Sequence, residues 1–133
     1  MPPSYLLDSD VLIWFLRGRE DTVALVRDLK RSAIPGYSAL SILEVMGWVK
    51  REEKEETEEF FRSLHLYPFE DKTAFLAARY MREYRAKGKT LEPFDVSIAA
   101  TAVLNDLVLV TYNTKDFPMP ELKIYPIKMI RKG

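Results

Sequence analysis

Five acidic side chains mark where this sequence could do chemistry: Asp8, Asp10, Glu44, Asp95 and Asp116. Carboxylates brought to one place repel one another, and the conflict is relieved either by protonation or by a divalent cation. The chain has no cysteine and a single histidine, His65. That excludes a disulfide framework, thiolate ligation, a His-rich zinc site and a Ser-His-Asp triad with a spare histidine. Any metal must therefore rest on oxygen, which favours magnesium or manganese over zinc.

Each acid also has a local explanation. Asp8 or Asp10 can cap the helix that follows, and capping is the simpler account of that stretch alone. Ser41-Ile42-Leu43-Glu44 has the spacing of a capping box, in which the glutamate reaches back to the cap amide; taken alone, this is the better account of Glu44. Asp95 opens a segment that is apolar nearly all round, so it is expected to be partly buried, where the helix dipole supplies only about 0.3–1 kcal/mol of support. Asn113 and Asp116 both suit turns.

The elements that must position these residues alternate between strand and helix. Tyr5-Leu6-Leu7 reads as a strand buried on both faces, with Asp8 where it ends, followed by a short helix closed by Arg17-Gly18. Asp21-Thr22 can cap a helix ending near Ser32, Ile34 to Tyr37 is a poor strand weakened by Pro35 and Gly36, and Ser38 opens a helix through Val49. The charged run from Lys50 to Glu59 reads as a solvated helix face, with Phe60, Phe61 and Leu64 returning to the core. Leu66 to Phe69 is an edge strand, and Asp71 caps a long helix stopping at Gly88. Pro93 starts a helix to about Leu104, Leu107 to Val110 is the clearest strand, and Ile124 to Ile127 a weaker last one. This alternation implies parallel pairing with helices on both faces of the sheet. Ligands of such sheets bind beyond the carboxyl ends of the strands, and the acids fall along that edge.

With 133 residues, of which 47% are hydrophobic, the chain fits one domain over residues 1–133 with a single hydrophobic centre and no internal repeat. Twenty basic and twenty acidic residues give zero formal charge, which argues against nucleic-acid binding through overall charge but not through a local basic patch or bound cations. The apolar start is interrupted by Asp8 and Asp10, so neither a signal peptide nor a membrane span is expected, and the expected compartment is the cytoplasm. Gly88-Lys89-Thr90 fails as a phosphate-binding loop, because Glu83 stands where a glycine is needed and a helix precedes it. His65 is expected half-buried at a helix end, and Trp14, Phe15 and Trp48 in the core.

Four segments together resemble the PIN-domain family, and within it the VapC-type toxins of toxin-antitoxin pairs. They are Leu7-Asp8-Ser9-Asp10-Val11-Leu12-Ile13, Ser38 to Glu44, Asp95 to Ala102, and Val110-Thr111-Tyr112-Asn113-Thr114-Lys115-Asp116-Phe117. The resemblance implies a three-layer α/β/α fold with a short central parallel sheet. It implies a magnesium- or manganese-dependent ribonuclease acting on RNA, inhibited by a cognate antitoxin and commonly homodimeric. By position, Asp8, Glu44 and Asp95 look like the main acids and Asp116 a fourth, with metal held by Asp8, Asp95 and Asp116. Many members carry an acid where this chain has Asn113, and Asp10 stands where asparagine is frequent. Ser9, Thr111 and Asn113 look like residues that orient carboxylates or water. Arg17, Lys89 and Lys115 are candidates for gripping the substrate. Two other readings compete: Asp8-Ser9-Asp10-Val11 fits the opening of haloacid-dehalogenase-like phosphatases with Asp8 as nucleophile, and a PIN domain can also be a non-catalytic binding module.

Overall fold

The computed structural model describes residues 4–127. Five short strands, β1 (Tyr5–Leu7), β2 (Gly36–Ser38), β3 (His65–Tyr67), β4 (Val108–Val110) and β5 (Lys123–Ile124), form one sheet in the order β3-β2-β1-β4-β5. Every pairing is parallel, as the alternation of strand and helix requires. Six helices connect the strands among the described residues: α1 (Ser9–Leu16), α2 (Glu20–Leu29), α3 (Ala39–Met46), α4 (Lys54–Arg62), α5 (Asp71–Ala86) and α6 (Pro93–Leu104).

From β1 the chain steps outward through β2 to β3, then returns to the other side of β1 as β4 and β5. The strand order therefore reverses between β1 and β4, where crevices open at the carboxyl ends of such sheets. Leu7 pairs with Val110, and the Asp8 amide donates to the Val110 carbonyl at 2.9 Å, which places Asp8 and Thr111 side by side at that reversal.

The expected single hydrophobic centre is divided in two by the sheet. Leu6 and Leu109 pack with Ala77 and Tyr80 of α5, Ile98, Ala99 and Ala102 of α6, and Phe117 on one face. Tyr5, Leu7 and Val110 pack with Val11 and Leu12 of α1, Val26 of α2, Val45 of α3 and Phe61 of α4 on the other. Side chains alternate across a strand, so a three-residue strand buried on both sides has to feed two cores.

Other departures from the sequence reading are local. β2 is a paired interior strand despite Gly36, because the Tyr67 ring of β3 occupies the space where a Cβ at Gly36 would project, and the His65 carbonyl oxygen would lie 3.1 Å from it. β3 is an edge strand as expected but begins one residue early, so His65 is an exposed strand residue packed edge-on against Tyr67 rather than a helix end. Asp21 and Asp71 sit inside the first turns of α2 and α5 instead of preceding them. The last strand is shorter than expected and ends at Ile124. α3 stops at Met46, before Gly47, which leaves Trp48 outside the helix and 88% exposed. Among the described residues no helix is long and apolar enough to cross a membrane.

Candidate active site

Asp8 does cap α1: its Oδ1 accepts the Ser9 amide at 2.8 Å. Capping does not exhaust the side chain. Oδ2 accepts the Thr111 hydroxyl at 2.9 Å across the β1–β4 reversal, and the residue is buried at 7% exposure. Burial, then the neighbouring Asp10 charge, push its pKa up to about 7; the Thr111 and Ser9 bonds pull the other way, and Asp95 adds a further upward push.

Asp10 lies in the first turn of α1 and ties that helix to the segment after β4. Its Oδ2 accepts the Tyr112 amide at 3.0 Å and the Asn113 side-chain amide at 3.1 Å. Its Oδ1 is buried with no hydrogen-bond partner among the described residues, and burial raises its pKa. Asn113 is further held by its amide, which donates to the Thr111 hydroxyl at 3.1 Å. Thr111 thus bridges Asp8 and Asn113, and Asn113 bridges onward to Asp10.

The capping-box account of Glu44 does not hold. α3 starts three residues earlier than that account needs, with Ser38 as its cap accepting the Leu40 amide at 3.1 Å, so Glu44 falls in the second turn. There it meets α1: Glu44 Oε1 is 2.7 Å from the Ser9 hydroxyl, which is also 2.9 Å from the Ser41 hydroxyl. A serine hydroxyl has one proton, so donation to the carboxylate leaves Ser41 to supply the proton of the second contact.

Asp95 is half-buried in the first turn of α6, where Pro93 occupies the first helical position and Glu92 offers no side-chain cap. Burial raises its pKa to about 6, followed by the charges of Asp116, Glu44, Glu92 and Asp10. Asp116 is half-buried in the short helical turn Thr114–Asp116 after β4. The acids from β1, α1, α3, α6 and the β4–β5 connection therefore lie close enough to feel one another's charge. None of them takes part in a described ion pair.

The donor chemistry fits a hard divalent cation: oxygen ligands only, mutual repulsion with no basic partner among the described residues, and the buried Oδ1 of Asp10 left unbonded beside Asp8. As the side chains stand, no group of three or more acids or histidines among the described residues is drawn close enough to hold a metal ion together. Magnesium does not demand direct contact from all of them, because it keeps several waters, and one or two carboxylates can touch it while the others act through those waters.

Of the candidate cations, Lys89 and Lys115 come together, with the Lys89 ammonium 3.4 Å from the Lys115 carbonyl oxygen, one residue from Asp116. The glycine of the failed phosphate-loop pattern closes α5 in a left-handed turn at φ +83°, and Lys89 follows it directly. Arg17 stands apart from them at the carboxyl end of α1. It also lines a cleft of about 750 Å³ with Glu44, Ile13, Phe15, Val45 and Trp48. Phe15 stacks on Phe60 at 4.5 Å and is half-buried, whereas Trp14 and Trp48 are exposed, contrary to the expectation of core positions. Asp10, one of the five acids the sequence singles out, joins the site by bonding to the segment after β4; the participation of Ser41 has no signal in the sequence.

The PIN domain family model matches residues 5–119. The chain belongs to the PIN-domain family. It is 37% identical over 120 residues to Ribonuclease VapC10 of Mycobacterium tuberculosis, covering 87% of each chain. It is 29% identical to Ribonuclease VapC19 of the same organism, covering 89% of this chain and 96% of that one. Among solved structures, VapBC2 from Rickettsia felis bound to a DNA fragment from its promoter superposes with a TM-score of 0.80 at 21% identity, covering 92% of this chain and 97% of that one. A toxin-antitoxin complex from Klebsiella pneumoniae does so with a TM-score of 0.77 at 26% identity, covering 95% and 99%. The three-layer α/β/α architecture is thus that of a PIN domain, and membership of this family displaces the phosphatase reading of Asp8.

Proposed function

We propose that this PIN domain is a magnesium- or manganese-dependent endoribonuclease and the toxin of a VapBC-type pair. The observation that carries the proposal is the convergence of Asp8, Glu44, Asp95 and Asp116 from distant parts of the chain toward the strand-order reversal, with no basic partner among the described residues. The relatives named as VapC ribonucleases and the toxin-antitoxin structures support it.

In this reading Asp8, Asp95 and Asp116 hold the ion. When bound, a divalent ion offsets charge developing on the scissile phosphate and acidifies the attacking water. Thr111 and the Ser9 amide fix the two oxygens of Asp8, so its orientation is set before substrate arrives. Ser9, backed by Ser41, aims Glu44 to position the water. Asp10 and Thr111 hold Asn113 and its loop against α1. In-line attack on phosphorus with departure of the 3′-oxygen leaves a 5′-phosphate and a 3′-hydroxyl. Lys89 and Lys115 meet the substrate backbone beside Asp116. The protein acts in the cytoplasm as a homodimer of single-domain subunits and is silenced by an antitoxin. The cleft bearing exposed Trp48 and reaching Glu44, with Phe15 and Phe60 among its apolar lining and Glu53, Glu56 and Glu59 among its acidic one, offers that partner a mixed apolar and acidic seat.

The test is cleavage of end-labelled RNA and DNA by the purified chain with magnesium, with manganese and with chelator. Asp8→Asn and Asp95→Asn should each abolish a metal-dependent cleavage of RNA. Full cleavage by Asp8→Asn would overturn the assignment. A folded protein that binds manganese in no calorimetric experiment and cuts nothing would instead be a non-catalytic binding module.

A further inference from the structure

We infer that Trp14 and Arg17 form a stacking subsite for a nucleobase of single-stranded RNA, flanking the acids on the α1 side. The inference rests on the ribonuclease reading and extends it to how the substrate is gripped. α1 ends in a left-handed turn at Gly18, φ +76°, with the Gly18 amide bonded to the Phe15 carbonyl at 2.9 Å and the Arg19 amide to the Trp14 carbonyl at 3.0 Å. That reversal folds Arg19 back over the helix it has just left. Its guanidinium lies 5.1 Å from the Trp14 ring centre and 5.2 Å from that of Tyr112, and its Nε is 2.8 Å from Asp21. Arg19 is therefore spent: two rings and a carboxylate fix it as the wedge that holds Trp14 in place.

Arg17 differs. Its guanidinium is 5.6 Å from the Trp14 ring centre, it is exposed, and it belongs to no described ion pair. Trp14 itself keeps 38% of its surface in solvent, an exposure that the surrounding helix packing does not relieve. A partly exposed indole beside an exposed guanidinium that forms no described ion pair matches the two parts of a nucleotide, a flat base and a phosphate, provided that Arg17 swings off the ring to meet the phosphate as the base stacks. The pairing is sequence-tolerant, because every base has a π-face.

Position ties this pair to the acids. Trp14 lies four residues after Asp10, one turn and about 6 Å along α1 on the same side of the helix. Tyr112, which braces Arg19 from below, is the residue whose amide Asp10 holds and which precedes Asn113. The Tyr112 hydroxyl is in turn anchored 2.5 Å from that of fully buried Thr22. The shelf is thus rigid and joined to the same loop as the acids.

The test measures binding of a short single-stranded RNA to the Asp95→Asn protein, so that cleavage does not intervene. In a Trp48→Phe background Trp14 is the sole indole, and its emission should change on RNA binding. Trp14→Ala should weaken binding by about fivefold to a hundredfold, the loss of one stacked base, while Trp14→Phe retains most of it. Arg17→Ala should reduce the salt dependence of log Kd by about 0.7, the release of one counterion from a single strand. RNA binding with unaltered Trp14 emission and unaltered affinity in Trp14→Ala would overturn the subsite and leave the ribonuclease reading standing. No RNA binding by any variant that is folded by circular dichroism would overturn both.

Discussion

Asp8→Asn should abolish activity and yet stabilise the metal-free protein at alkaline pH. In the folded chain Asp8 has a pKa of about 7, against 3.8 for a solvated aspartate, chiefly because burial strips water from its charged form. Between those values the folded protein retains a proton that the unfolded chain has released. Stability is therefore unaffected by this group below about pH 4, falls as pH rises through the window, and is lowest above about pH 7. At about 1.4 kcal/mol per pH unit, the full cost of ionising Asp8 in the fold is about 4 kcal/mol. Asp95, raised to about 6, adds a slope of the same sign over a narrower window.

Asparagine has nearly the same shape and cannot ionise. Its carbonyl oxygen can accept the Ser9 amide as Asp8 Oδ1 does, and the Thr111 hydroxyl can turn to accept from the new amide. Urea denaturation in chelator at pH 4 and pH 8 is the assay. The two proteins should agree to within about 1 kcal/mol at pH 4, and the variant should be more stable by about 2–4 kcal/mol at pH 8. Magnesium or manganese should restore the wild type at pH 8 and do much less for the variant, because an ion that binds only the folded state stabilises it by mass action. A wild-type protein whose metal-free stability is flat from pH 4 to pH 8, or a variant less stable than wild type at pH 8, would refute this reasoning.

Three further perturbations probe the frame around the acids. Ser9→Ala removes the hydroxyl between Ser41 and Glu44 and should cost about 1–3 kcal/mol of stability, with a fall in kcat larger than any change in KM, measured by denaturation and steady-state cleavage. Gly36→Ala drives a methyl into the Tyr67 ring beside the His65 carbonyl and should cost about 1–3 kcal/mol, read from urea midpoints. Trp48→Ala should leave the melting temperature within about a degree of wild type, since the side chain is 88% exposed, while weakening capture by the proposed antitoxin in a pull-down with purified components.

What the sequence discloses and what it withholds divide along a physical line. Strand and helix order, the parallel sheet and the placement of acids after β1 and at the start of α6 follow from apolar periodicity and punctuation, which are local properties. The bonds that turn separate acids into a site are not local. Ser9 meets Glu44 across 35 positions, and Thr111 meets Asp8 across 103, so nothing within a window of the sequence encodes either. Register decides them: once Leu7 pairs with Val110, Asp8 and Thr111 must be neighbours.

The same distinction explains the two sequence inferences that failed most plainly. A capping box at Ser41 and Glu44 is a sound local reading, but it assumes that the helix begins at Ser41, whereas the same sequence also offers Ser38 as the start. Ser38 wins the competition because it ends β2 and is already extended, at φ −81° and ψ 143°, the conformation a cap requires. With the start three residues earlier, Glu44 lies in the second turn, beyond reach of the cap amide, and bonds Ser9 of α1 instead. Moving the end has the opposite effect on Trp48: apolar spacing carries the helix through Val49, but it ends at Met46, and the ring is left in solvent. One short helix, bounded by a strand end and by Gly47, thus sets both the acid that joins the candidate site and the exposed indole of the adjoining cleft.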